Sequence, residues 1–187
     1  MIEISTNTKD YIKYYNFIEK ETCTDIVNHL ETLSWAKHGY YSYINNTNES
    51  YEDDLFVNNS DTYYKLMLQD KLWDFIRQYI HSLNMPWFDV WHGYTSLRFN
   101  KYETGTKMRM HCDHIHSIFD GEIKGIPTLT VLGFLNDDFE GGELLLCGEK
   151  INTVTGSIVI FPSNFMYPHE VKTIISGTRY SFVTWVF

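Results

Sequence analysis

Apolar residues recur at helical spacing in two stretches of the first half of the chain. In the second half they fall in short, strand-like runs. Between Thr22 and Ser34, Ile26, Val27, Leu30 and Leu33 share one face, and Thr22 or Thr24 is placed to cap that helix. A longer helix is predicted from Asp61 to Leu83, with a stripe that includes Tyr64, Leu68, Leu72, Ile76 and Tyr79, and Pro86 follows closely to stop it. Ser5 to Tyr15 is polar and aromatic and reads as a short lead-in strand. Residues 36–60 are rich in Asn, Ser and Glu and predict a long loop.

Beyond residue 93 the pattern changes. Strands are predicted near 94–102, 107–113, 127–136, 142–147, 157–161, 168–174 and 178–187, separated by Gly105, Gly141-Gly142, Thr155-Gly156, Pro162-Ser163-Asn164 and Ser176-Gly177. Short strands after two helices predict an α+β, mainly β fold whose body is a β-sandwich or jelly roll. No repeat or linker interrupts the 187 residues, so one domain is expected over 1–187, with helical support and loop over 1–93 and the β core over 94–187.

Composition narrows the function classes. Fifteen basic residues against 24 acidic ones give a net charge of −9, which disfavours non-specific nucleic-acid binding because phosphate neutralisation needs clustered Lys and Arg. Lys101, Lys107 and Arg109 form a local exception and read as a solvated rim. Three cysteines, Cys23, Cys112 and Cys147, are few, odd in number and widely spaced. They predict neither a disulfide framework nor a Cys-rich zinc site, and a reducing, cytoplasmic setting is expected. The first residues lack a basic start followed by an apolar block, and no apolar run is long enough to span a bilayer, so neither a signal peptide nor a membrane partner is expected.

The chemistry concentrates in three places. His111-Cys112-Asp113 lies at the end of a predicted strand, where residues two apart point to the same side, so His111 and Asp113 aim at one point while Cys112 turns away. Two imidazoles and one carboxylate make the facial triad of non-haem Fe(II) oxygenases, which leaves three coordination positions open. His169, in Tyr-Pro-His-Glu-Val, is the candidate second imidazole. Arg179 opens the last strand and shares a face with Ser181, Val183 and Trp185. An inward Arg is costly unless it meets a carboxylate, and a dicarboxylate co-substrate supplies one, with Ser181 able to add a hydrogen bond.

Over Ser96–Phe187 the segments LRFNKYETGTKMRMHCDH, LTVLGFLNDDFEGGELLL, GSIVIFPSN and YPHEVKTIISGTRYSFVTW resemble the catalytic domain of the prolyl 4-hydroxylase branch of the Fe(II)/2-oxoglutarate dioxygenases. The run HCDHIHSIFDG is also similar to members encoded by large bacteriophages. The resemblance implies a double-stranded β-helix, or jelly roll, behind supporting helices. It implies Fe(II) held by His111, Asp113 and His169, and 2-oxoglutarate anchored through its distal carboxylate by Arg179 in a pocket lined by Tyr102. It implies hydroxylation of an unactivated C–H by O2 with release of succinate and CO2, with ascorbate as a candidate accessory. Two positions depart from the pattern. Arg179 stands where many prolyl hydroxylases carry Lys, and Phe134 stands where the family often has a Tyr, so one hydrogen bond to the co-substrate is lost. The expected substrate is a prolyl residue in a protein or peptide. A small molecule such as a free amino acid, or a non-catalytic metal-binding jelly roll, are the competing readings.

Other residues have plainer roles. Asn100 reads as a polar lead-in or a pocket contact. His114 and His116 are too crowded against His111 and Cys112 for the spread ligands of a structural zinc site. Gly141-Gly142 reads as a tight turn, Trp185 as a core or pocket wall, and Leu144–Leu146 as core.

Overall fold

The computed structural model describes residues 5–42, 44–88, 92–113 and 126–187. Two α-helices, α1 (Lys20–Leu30) and α2 (Tyr63–Ser82), pack on a seven-stranded antiparallel sheet. Its order is β1 (Lys13–Asn16), β12 (Ser157–Pro162), β8 (Leu129–Phe134), β15 (Arg179–Val186), β6 (Arg98–Tyr102), β5 (Phe56–Asn58) and β2 (Ala36–Lys37). A smaller sheet runs β11 (Glu149–Lys150), β10 (Leu144–Leu146), β13 (His169–Val171) and β7 (Met108–His111). From β6 onward the chain alternates between the sheets: β6, β8, β12 and β15 lie in the large one, and β7, β10 and β13 in the small one. That alternation is the double-stranded β-helix expected from the sequence. Two further pairs, β3 (Tyr40–Ser42) with β4 (Thr47–Glu49) and β9 (Glu140–Gly141) with β14 (Ile174–Ser176), complete the described strands.

The large sheet is covered on both faces, which is why its central strands read as near-continuous apolar runs. Phe99, Val131, Ile158, Ile160, Tyr180, Phe182 and Val186 pack outward against Ile26, Leu30, Leu68, Leu72 and Ile76 of the helices. Their sequence neighbours point between the sheets. There Tyr102, Phe134, Val159 and Phe161 meet Leu144, Leu146 and Val171. Period-two alternation thus assigns one half of each strand to the helix-facing core and the other half to the interior where the site lies. Gly133 shows how tight the outer layer is. It pairs with Phe182 across the β8–β15 ladder, and a Cβ at this position would come within 2.0 Å of the Phe182 ring.

Several expectations need correction. The region 36–60 is not a structureless loop: it folds the β3–β4 hairpin and adds β5 and β2 to the large sheet, with Val57 opposite Asn100. These strands are two or three residues long, too short and too polar to show a periodic signal. Helix α1 begins at Lys20, earlier than expected, because the Phe17 and Ile18 amides are held by the Gly156 carbonyl just before it (2.8 and 2.9 Å). Thr22 therefore lies inside the first turn, and the Thr24 hydroxyl donates to the Lys20 carbonyl (3.1 Å) instead of capping. In α2 the cap is Thr62, whose hydroxyl accepts from the Lys65 amide. Gly141 and Gly142 both adopt positive φ (76° and 63°), as their turn requires, and a Cβ on Gly141 would meet the Thr173 carbonyl at 2.4 Å. Among the described residues, no helix is long and apolar enough to cross a membrane.

Candidate metal and co-substrate site

Pairing of β7 with β13 puts His111 directly opposite His169, with ring centroids 4.3 Å apart. Asp113, two residues past the end of the ladder contact, turns back between them. Its Oδ1 lies 3.4 Å from His111 Nε2 and its Oδ2 lies 3.5 Å from His169 Nε2. One ligand atom from each residue falls within 4.8 Å of the others. The candidate triad read from the sequence is therefore assembled in space.

The surrounding bonds orient these side chains. His111 Nδ1 sits 2.7 Å from the Arg109 carbonyl and His169 Nδ1 3.2 Å from the Tyr167 carbonyl. A carbonyl only accepts, so each Nδ1 carries a proton, and each Nε2 is the ring atom turned toward Asp113. Asp113 is buried, and its Oδ2 accepts from the Thr130 hydroxyl (2.7 Å), which lies 2.8 Å from the Ser163 hydroxyl. Burial pushes the Asp113 carboxyl up, but the His111 hydrogen bond, the charges of both imidazoles and the Thr130 hydroxyl outweigh it and hold it well below the usual carboxylate range. Burial pulls His111 down, yet Asp113 leaves it raised. His169, more deeply buried, is lowered. With any Nε2 proton displaced by the ion, two neutral imidazoles and an ionised carboxylate are the donor set that Fe(II) accepts, and the residues present fit that ion. His111 forms the open side: its side chain is 30% exposed, against 6% for His169.

The interior faces of β6 and β15 extend the site. Arg179 is buried at 3% exposure, opposite Tyr102 in register, with its guanidinium carbon 4.9 Å from the Tyr102 ring and 5.9 Å from that of Phe134. Its Nη1 donates to Ser181 Oγ (3.3 Å). Among the described residues, no carboxylate forms an ion pair with Arg179. Burial lowers its pKa, offset in part by Tyr102. Arg179, Ser181, Tyr102, Asn100 and Trp185 all line one cavity with His111, Asp113 and His169. The Phe134 ring stands beside Arg179, and its side chain has no group to hydrogen-bond.

Three residues of the site were not singled out by the sequence. Arg98 lines the same cavity, and its Nε donates to Asn100 Oδ1 (3.1 Å). Counting back in twos from Tyr102 through Asn100 would have found it. Thr130 and Ser163 carry no such signal, because a Thr in a β run and a Ser after a Pro look ordinary. Lys107 and Arg109 are not free rim cations: both pair with Asp53, and Arg109 Nη1 also reaches Asp54 Oδ1 (2.7 Å). Lys101 pairs with Glu103 (3.1 Å) and Glu31 (3.7 Å). His114 and His116 lie outside the described residues.

Residues 97–187 match the 2OG-Fe(II) oxygenase superfamily. The chain is 35% identical over 95 residues to a PKHD-type hydroxylase of Psychrobacter sp. (strain PRwf-1), covering 47% of this chain and 36% of that protein. It is 33% identical over 99 residues to a PKHD-type hydroxylase of Crocosphaera subtropica, covering 49% and 42%. The matched stretch thus spans well under half the length of both relatives. Among solved structures, the fold is similar to a prolyl hydroxylase from Trichoplax adhaerens in complex with a hypoxia inducible factor oxygen degradation domain peptide. The TM-score is 0.69 at 20% identity, covering 95% of this chain and 83% of that one. It is also similar to a viral collagen prolyl hydroxylase from Paramecium Bursaria Chlorella virus-1 in a 2OG complex (TM-score 0.67, 14% identity, 94% of each chain). Over residues 97–187, about half of its length, the chain is thus similar to the 2OG-Fe(II) oxygenase superfamily.

Proposed function

We propose that the chain is a 2-oxoglutarate-dependent hydroxylase in which His111, Asp113 and His169 hold Fe(II) and Arg179 holds the distal carboxylate of 2-oxoglutarate. The observation that carries this reading is the meeting of three convergent ligand atoms and an arginine without a carboxylate partner among the described residues, in one cavity. Bound there, Fe(II) together with 2-oxoglutarate and O2 supplies the oxidising power to hydroxylate an unactivated C–H, with succinate and CO2 as co-products. The residues of the chain bind and orient. The Arg109 and Tyr167 carbonyls fix both imidazole tautomers, Thr130 fixes the Asp113 carboxylate, and Tyr102, Phe134 and Ser181 position Arg179. Ascorbate is assigned only the accessory role of sustaining the ion in its reduced state.

The substrate we favour is a prolyl residue in a protein or peptide, a reading supported by the prolyl hydroxylases that share the fold. A small molecule such as a free amino acid is the second reading. The whole chain acts as one unit in this proposal, and three free cysteines support a reducing, cytoplasmic setting. To test it, protein loaded with Fe(II) is incubated with 2-oxoglutarate, O2 and a panel of proline-bearing peptides. Succinate release with a mass gain of one oxygen on peptide is expected. With metal and 2-oxoglutarate demonstrably bound, no oxygen gain on any peptide would overturn the peptide substrate, and absence of succinate with peptides and free amino acids alike would overturn the hydroxylase assignment.

A further inference from the structure

The cavity holds a second guanidinium. Arg98 stands opposite Val183 on β6, four residues from Tyr102 and on the same face. At the usual strand rise this places its backbone about 13 Å along the ladder from the Arg179–Tyr102 pair, roughly twice what an extended five-carbon diacid covers. In the proposed complex both carboxyl ends of 2-oxoglutarate are already engaged, one at Arg179 and the other at the metal. Arg98 is therefore left for a different ligand.

What surrounds Arg98 indicates the ligand's chemistry. Its Nε is satisfied by Asn100, and its guanidinium carbon lies 5.2 Å from the centre of the Trp185 ring. Among the described residues no carboxylate pairs with it. Asp113, the acid whose charge it feels, is engaged by both imidazoles and Thr130. His38, also close enough to feel Arg98, is held neutral near pH 7, since burial and the Arg98 charge push it down to about 4. The Trp185 Nε1 is buried with no hydrogen-bond partner among the described residues. Guanidinium and indole are donors only: the indole N–H has no acceptor among the described residues, and the Arg98 guanidinium, bonded through Nε to Asn100, has no anionic partner among them. A buried donor left unpaired is costly, and an anionic acceptor satisfies both at once.

We propose that Arg98 and Trp185 form a second anion subsite of the cavity that binds a carboxylate of the primary substrate close to the carbon to be hydroxylated. This rests on the hydroxylase reading above and narrows it. The substrate is acidic, either a free amino acid held by its own carboxylate or a peptide carrying Asp or Glu beside the target residue.

The test uses the full chain loaded with redox-inert Zn(II) and saturating 2-oxoglutarate. The 15N-labelled indole signal of Trp185, assigned by its loss in Trp185→Phe, is followed during titration. The probes are L-proline against L-prolinamide, and acetyl-Pro-Asp-amide against acetyl-Pro-Asn-amide. One acid is expected to move the Trp185 signal with at least tenfold higher affinity than its amide, and the responding pair tells free amino acid from acidic peptide. In Arg98→Met the preference for the acid collapses to that of the amide, whereas Arg98→Lys keeps part of it and the affinity for 2-oxoglutarate stays within twofold. If neither acid binds better than its amide, or Arg98→Met retains the preference, the subsite is refuted. If Arg98→Met instead loses 2-oxoglutarate, Arg98 serves the co-substrate and the subsite is equally refuted. Failure of the wild type to bind Zn(II) or 2-oxoglutarate before any probe is added marks failure of the underlying hydroxylase reading instead.

Discussion

His111 and His169 are cross-strand partners in the β7–β13 ladder, so their spacing is set by backbone pairing and not by side-chain reach alone. Each ring is fixed a second time by a carbonyl two residues earlier in its own chain segment, Arg109 for one and Tyr167 for the other. Constraint by the ladder and by these carbonyls holds the two rings in fixed relation, as the proposed metal site requires.

Substituting Asp113 by Ala removes the only carboxylate of the triad. Metal bound per chain, measured by elemental analysis after dialysis against micromolar Fe(II) or Zn(II), is expected to fall to background. Thr130→Val, which only frees Asp113 Oδ2, is expected to weaken metal binding by about tenfold, at the lower end of what lost outer-shell contacts cost. Retention of stoichiometric metal by Asp113→Ala would remove this carboxylate from the ligand set.

For Arg179 the expectation concerns 2-oxoglutarate alone. Replacing a buried, charge-bearing partner by Met costs on the order of 2–5 kcal/mol of binding, so calorimetric Kd for 2-oxoglutarate should rise by at least about 30-fold. Arg179→Lys should recover part of this, since it keeps the charge but not the planar fork. Metal content should be unchanged in both variants.

How far this site is readable from sequence depends on which side chains carry an improbable cost. Arg179 at the start of an apolar strand, and an H-x-D at the end of another, announce themselves because burying them without a partner is unfavourable, and alternation then says which neighbours share their face. Arg98 obeys the same rule, but its strand is short and also carries Asn100 and Lys101, so an Arg there passes for a surface residue. Thr130 and Ser163 are invisible for the opposite reason: their types suit a strand and a turn whether or not they support a carboxylate. The helices and the later strands were legible from periodicity. Residues 36–60 were not, because two- and three-residue strands such as Phe56–Asn58 owe their form to the edge of β6 they pair with and not to their own pattern.

The outer core makes a stability prediction independent of the chemistry. Gly133→Ala drives a methyl group into the Phe182 ring and should destabilise the fold by about 1–3 kcal/mol, the range found for overpacked cores. Urea unfolding measures it. Combining it with Phe182→Leu should cost less than the sum of the two single changes, because the clash and its partner are removed together.

Asp53 yields a pH dependence. Hydrogen bonds and charge from Lys107 and Arg109 lower its pKa from 3.8 to about 2. A carboxyl depressed in the folded state contributes stability that is present above its unfolded pKa and lost as pH falls through the folded value. The difference in urea midpoint between wild type and Asp53→Asn should therefore be largest near neutrality, close as pH drops from 4 toward 2, and shrink in high salt, because the cluster is solvent-exposed.

The division of β15 into two faces bears on how such a protein can change. Arg179, Ser181, Val183 and Trp185 serve the interior, while Tyr180, Phe182 and Val186 serve the helix layer. Point substitutions can therefore retune ligand preference one position at a time while the hydrophobic scaffold stays intact. Loss or gain of one residue within Arg179–Val186 would instead exchange the two faces, turning aromatic rings toward His111, Asp113 and His169 and a guanidinium into the helices. Diversification of this strand is thus open to replacement and closed to length variation, which confines indels to the turns at its ends.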